Sequence, residues 1–123
     1  MEIVVKICWS LIGAIHFMPS LALFFPKMVE RLYLVAPEGE IGVLLVHRAA
    51  LFVTVFAASI YALFDPSVRK LAAVVAAISM LSFLFVYFRA GMPVGGLRTI
   101  AVVDLVGIIP LAVVAYSAFL SRA

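Results

Sequence analysis

Four long apolar runs, separated by short polar punctuation, take up nearly all of this 123-residue chain: residues 3–25, 41–64, 71–88 and 99–120. A helix needs about 20 apolar residues to cross a hydrocarbon core of roughly 30 Å, so each run is long enough for one crossing. The chain is therefore expected to be all-α: an integral membrane four-helix transmembrane bundle, in one domain over residues 1–123.

Composition agrees, with 67% hydrophobic residues and only 12% charged, against roughly 45–50% and 25% in soluble domains. The nine Lys and Arg are scattered between the apolar runs, so no basic patch for nucleic acid can form. The only cysteine, Cys8, lies inside the first run, which leaves no internal disulfide and no Cys-based metal site. That first run continues through Phe25 without a small-residue cleavage site. It is thus read as a retained span rather than a signal peptide.

Proline and lysine at positions 26 and 27 close the first span, Asp65-Pro66-Ser67 the second, and Arg89 the third; Gly91 to Gly96 form a turn before the fourth. The longest connection mixes Met28, Val29, Leu32, Tyr33, Leu34 and Val35 with Lys27, Glu30 and Arg31, the pattern of a short interfacial helix over 27–36. Pro37 to Glu40 then break it, and the acidic residues suit the start of the second span. Tyr33, Tyr87 and Tyr116 need only interfacial and packing roles.

Four crossings put both termini on one side. Lys6, Arg69, Lys70 and Arg122 lie there, and Lys27, Arg31, Arg89 and Arg98 lie opposite. The positive charges balance, so the positive-inside rule does not choose between the two orientations. Glu30, Glu38 and Glu40 make the second face less positive, which sets the expectation of cytoplasmic termini.

Ionisable groups inside spans cost roughly 2.5–3.5 kcal/mol each on insertion scales and are functional candidates by default. Here they are His16, His47, Arg48 and Asp104. At about 1.5 Å per residue, Asp104 lies about 8 Å, His47 and Arg48 about 10 Å, and His16 about 13 Å from the same membrane face. One shared polar site in one half of the bilayer is expected. Trp9, Gly13, His16 and Ser20 share a stripe of the first helix, with Pro19 removing an amide nearby. Glu40, His47, Thr54 and Tyr61 recur every seven residues on the second helix and are expected to form an inward polar seam. Ala72, Ala76, Ser79 and Ser82 give the third helix a small-residue packing face. On the fourth, Asp104 shares a face with Ala101, Gly107 and Leu111, and Pro110 loosens the backbone at Val106. Each group also has a structural role open to it. Arg48 and Asp104, at similar depth, are expected to neutralise one another as an ion pair, and His16 and His47 to form interhelical hydrogen bonds.

Gly13-x-x-His16-x-x-Pro19, Leu32-Tyr33, Val46-His47-Arg48-Ala49-Ala50-Leu51-Phe52, Ser79 to Phe83 and Val103-Asp104 resemble a group of small four-helix bacterial inner-membrane proteins, the DoxX-like proteins. The resemblance covers nearly the whole chain, implies a multi-pass protein of the bacterial inner membrane, and carries no established chemistry. Some members bear the name phosphopantetheine adenylyltransferase, an activity needing a soluble nucleotide-binding α/β fold that this sequence cannot build. Many members place an arginine where this chain has Val46.

Three functions remain open at this point. The first is binding of a lipophilic or amphipathic small ligand, such as a lipid, isoprenoid or quinone, by His16, Ser20, His47, Arg48, Thr54 and Asp104. The second is a redox subunit in which His16 and His47 are the axial ligands of a b-type haem, although Phe17, Met18 and Leu44 crowd the space a macrocycle needs. The third is an accessory role, docking other membrane subunits or further copies of the chain. A buried histidine beside an acid also leaves proton-transfer catalysis open, while no nucleophile arrangement, phosphate loop or metal-ligand cluster is present in the sequence.

Overall fold

The computed structural model of the chain describes residues 1–25, 27–36 and 38–120. Pro26 and Pro37, expected as helix breakers, and Arg122, counted among the charges on the terminal side, lie outside the described residues.

Every apolar run forms a helix. α1 spans Glu2–Ser20 and runs on as a tight 3-10 turn over Leu21–Leu23, where Pro19 has withdrawn an amide from the last helical turn. α2 is the short helix Lys27–Tyr33, with Val29 and Tyr33 buried and Lys27, Glu30 and Arg31 exposed. α3 covers Gly39–Phe64, α4 Arg69–Arg89 and α5 Gly96–Phe119. Among the described residues there is no strand. The four helices other than α2 are long and apolar enough to cross a membrane. Their outward surface is apolar too: Ile3, Val43, Leu71, Phe85, Val106 and Ile109 are all well exposed. A soluble monomer rarely displays so much contiguous apolar surface, and lipid is the solvent that accommodates it. The chain is a multi-pass membrane protein.

The helices stand in a ring in the order α1, α3, α4, α5, with α3 diagonal to α5 and α4 meeting α3 less closely than it meets α5. Between α3 and α4, Asp65 accepts hydrogen bonds from the Ser67 amide (2.9 Å) and hydroxyl (2.6 Å). Those donors hold its carboxyl below the usual carboxylate range. Beside this turn the Arg69 side chain is buried. Its Nε donates to the Ala62 carbonyl at 2.7 Å, and its two terminal nitrogens grip the Glu2 carboxylate at 3.0 and 2.7 Å. One side chain thus satisfies the carbonyl end of α3 and ties down the start of α1.

The core holds Trp9, Ile12, Val55, Ala76, Met80 and Val114. Close approach depends on glycine at two places. A Cβ on Gly107 would stand 2.5 Å from Met80 Cε and 2.7 Å from Ile15 Cδ1, so α5 meets α1 and α4 there. A Cβ on Gly96 would run into the backbone carbonyl of Leu32. That glycine lets α5 begin directly against α2, and α2 in turn lies over the end of the bundle with Val29 and Tyr33 packed near Ala22 and Ala49.

Candidate functional site

The loosest junction in the ring, between α3 and α4, holds a groove of about 640 Å³, within the roughly 300–1,000 Å³ typical of small-molecule sites. Leu45, Leu51, Val55, Val75, Ile78 and Val86 supply apolar walls, and Tyr33, Arg48, Thr54, Ser79 and Ser82 the polar atoms. Leu51, Thr54, Ile78, Ser82 and Val86 are also exposed on the outer surface, so the groove opens sideways, towards lipid. Tyr33 of α2 and Leu97 of α5 lie at its other end.

Among the described residues Arg48 is the one charged residue in this lining. It shares an α3 face with Phe52 and Val55, at the i, i+4, i+7 spacing that points side chains the same way. Its guanidinium carbon lies 4.9 Å from the ring centre of Phe52, 4.8 Å from that of Phe83 on α4 and 5.8 Å from that of Tyr33 on α2. Its Nε donates to the Tyr33 hydroxyl at 3.2 Å. Among the described residues no carboxylate comes within ion-pair distance of it, and its terminal nitrogens make no hydrogen bond. Aromatic faces suit a cation that must leave water, but they do not occupy the donors on its edge.

The expected pair of Arg48 and Asp104 is not formed. Asp104 is buried on α5, one turn before Gly107, and has no hydrogen-bond or ion-pair partner among the described residues. The reason lies in the ring order. α3 and α5 stand diagonally, and α1 and α4 close the space between them through His16 and Ser79. Arg48 instead faces the groove on the α4 side.

His16 is 1% exposed and fully engaged. A carbonyl only accepts, so Nδ1 donates to the Ile12 carbonyl (2.9 Å), and Nε2 of the neutral ring then accepts from the Ser79 hydroxyl (3.0 Å). Its ring also lies 5.6 Å from that of Phe52, so His16 braces the groove from behind without lining it. Ser20 is buried and donates to the Phe17 carbonyl of its own helix, away from the groove.

α3 turns its polar seam the other way. Gly42, Ala49, Phe52, Val55, Ser59 and Ala62 face inward, while Glu40, His47, Thr54 and Tyr61 lie on the outer side. The inward seam is thus corrected to an outward one: lipid is as apolar as leucine, so polarity alone does not choose the packed face, and on α3 the small residues Gly42, Ala49, Ser59 and Ala62 that let helices approach mark it. His47 and Arg48, adjacent in sequence, leave on different faces. Thr54 alone of the seam reaches the groove, at its rim. The arrangement a bis-histidine haem requires, two imidazoles facing one another across a gap, is not the one found, because His16 is sealed in the core and His47 lies on the outer surface.

Of the six expected site residues, then, only Arg48 and Thr54 line the groove. Sequence reasoning missed Tyr33, Phe52, Phe83, Ser79 and Ser82 as site residues, although all five stand within the motifs that carried the resemblance. No protein-family model matches the chain, and no curated protein or solved structure does so either.

Proposed function

We propose that this protein binds one lipophilic or amphipathic small ligand, of the lipid, isoprenoid or quinone kind, in the groove between α3 and α4. Arg48 takes its polar head, and His16 and Ser79 hold the wall behind. The observation that carries this is Arg48 itself. A guanidinium within the bilayer costs roughly 2.5–3.5 kcal/mol; the rings of Tyr33, Phe52 and Phe83 offset much of that, at about 2 kcal/mol or more for a desolvated cation–π contact, but they act on its faces and leave the donors of its edge unmet. The terminal donors of Arg48 have no protein acceptor among the described residues, so an acceptor brought by a ligand completes the balance. Kinship with DoxX-like proteins, a place in the bacterial inner membrane and cytoplasmic termini belong to the same proposal.

Native mass spectrometry of protein taken from its membrane tests the binding. The wild type is expected to carry an adduct of lipid-like mass, and Ser82→Phe, which fills the groove from an exposed position, to lose it. An adduct undiminished in Ser82→Phe places the ligand elsewhere. For topology, Glu38→Cys in a Cys8→Ser background is expected to react with an impermeant thiol reagent from outside intact cells; reaction only after lysis reverses the orientation.

The outward seam supports a second reading, an accessory subunit whose α3 docks a helix of a different membrane protein. A second copy of the chain fits less well, because a two-fold axis along the membrane normal would set Glu40 against Glu40. A photo-crosslinker at position 47 is expected to yield one protein adduct of defined mass in native membranes; lipid adducts alone would exclude it.

A further inference from the structure

The guanidinium of Arg48 is planar and carries five N–H donors in a fixed fork. The Tyr33 hydroxyl takes the Nε donor, and the three rings lie against the guanidinium group. What remains is the edge carrying the two terminal nitrogens, whose spacing matches two oxygens of one carboxylate or phosphate. A quinone carbonyl engages such an edge with a single oxygen and brings no charge.

Charge points the same way. Arg69 has its counter-ion in Glu2, but Arg48 has none within ion-pair distance among the described residues. The charge of Arg48 reaches Asp104 without direct contact, and interactions between charges strengthen as water is excluded, so a cation with no direct partner at its edge favours an anion over a neutral head. The other polar side chains of the groove offer little competition. The Thr54 hydroxyl donates to the Ala50 carbonyl and the Ser82 hydroxyl to the Ser79 carbonyl, both at 3.4 Å, and the Ser79 hydroxyl is taken by His16. From Arg48 towards Val55 and Val75 the walls are therefore effectively apolar, a channel for a tail.

The route of access narrows the source. Tyr33 and Leu97 close the α2 end, and the open side is flanked by the exposed Leu51 and Ile78. An open side flanked by exposed apolar residues faces lipid, so a bilayer-dissolved amphiphile can slide in laterally. The volume of about 640 Å³ lies within the range of one small molecule, which favours one chain over two.

We infer that the ligand is a single-chain lipid with an anionic oxyanion head, a carboxylate or a phosphate, that enters from the bilayer and seats its head on the terminal nitrogens of Arg48. This rests on the ligand-binding function proposed above.

Equilibrium binding in phosphatidylcholine nanodiscs, corrected with empty discs, tests it with three probes of identical tail at mildly alkaline pH: oleate, oleyl phosphate and oleyl alcohol. The two anions are expected to bind at least about tenfold more tightly than the alcohol, the equivalent of one charge-assisted contact. Arg48→Gln should bring them down to the level of the alcohol without changing the alcohol. Arg48→Lys, which keeps the charge and loses the fork, should fall between. Ser82→Phe leaves Arg48 in place and should abolish binding of all three, which keeps the test decisive if Arg48→Gln fails to fold. Whichever anion binds more tightly identifies the head group. Equal binding of oleate and oleyl alcohol by the wild type overturns the anionic head while leaving the ligand-binding function standing. An adduct in native mass spectrometry without binding of any oleyl probe does the same. Absence of both the adduct and probe binding removes the function as well.

Discussion

Two arginines, Arg48 and Arg69, mark opposite ends of the α3–α4 junction, and they are used in opposite ways. Every nitrogen of Arg69 is engaged: its donors reach a carboxylate and the carbonyls of Ala62 and Leu63. Arg48 has aromatic faces and one neutral hydroxyl, and its terminal donors are open to a groove. Both are held where their surroundings fix their orientation. The difference is that the first arginine is satisfied by the protein, whereas the terminal donors of the second meet no acceptor among the described residues, the opening that the proposed function gives to a ligand. In a bilayer, where no water completes a donor's coordination, that distinction separates a structural charge from a binding charge.

The largest expected effect falls on the Arg69 side. Arg69→Met leaves the Ala62 carbonyl without its charged donor and should lower stability by about 1.5–3 kcal/mol, read as thermal unfolding in detergent; no loss would erase the contrast between the two arginines. Glu2→Gln should cost less than Arg69→Met, because Glu2 is half exposed. Next comes the roof above Arg48. Gly96→Ala collides with the Leu32 backbone and should cost about 1–3 kcal/mol as overpacking while weakening ligand retention through Tyr33. Gly107→Ala meets only the movable ends of Met80 and Ile15 and should cost less; the reverse order would show that α2 is not rigidly seated. A double-mutant cycle on Arg48→Met and Asp104→Leu should give a coupling below the roughly 0.5–3 kcal/mol of contacting pairs. Strong coupling would restore an ion pair that the ring order separates.

The smallest effect is expected at Asp65. Its carboxyl titrates below the usual range in the folded chain, so the folded state favours the charged form. The contribution is complete above the ordinary carboxylate pKa and fades as pH falls through the lowered value. Asp65→Asn should flatten that acid limb slightly, and an unchanged limb would assign it to other carboxylates.

The four spans and the short α2 were legible because length and hydropathy decide them. The faces were not. On α3, Glu40, His47, Thr54 and Tyr61 repeat as regularly as the small residues Gly42 and Ala49, and hydropathy cannot choose between two faces when the solvent is itself apolar. Depth along the membrane singled out Arg48, which lines the groove, but could not tell a neighbour from a diagonal, so it paired Arg48 with Asp104. Its hydroxyl partner, Tyr33, arrives only because α2 folds back over the bundle. Arg69 and Glu2 meet across 67 residues of sequence, a contact set by tertiary packing alone.

Thermal unfolding of the wild type and Arg48→Met, each with and without saturating oleate, tests most directly whether Arg48 is kept for a ligand. Without oleate the two should unfold at nearly the same temperature, since removing a costly charge offsets the lost aromatic contacts. At about one hundred times the wild-type Kd, oleate should stabilise the wild type by roughly 2.7 kcal/mol and Arg48→Met clearly less, about 1.4 kcal/mol if its Kd is tenfold weaker. If Arg48→Met instead collapses without ligand as Arg69→Met is expected to, or if oleate stabilises both chains equally, Arg48 belongs to the fold and the groove has no claim on it.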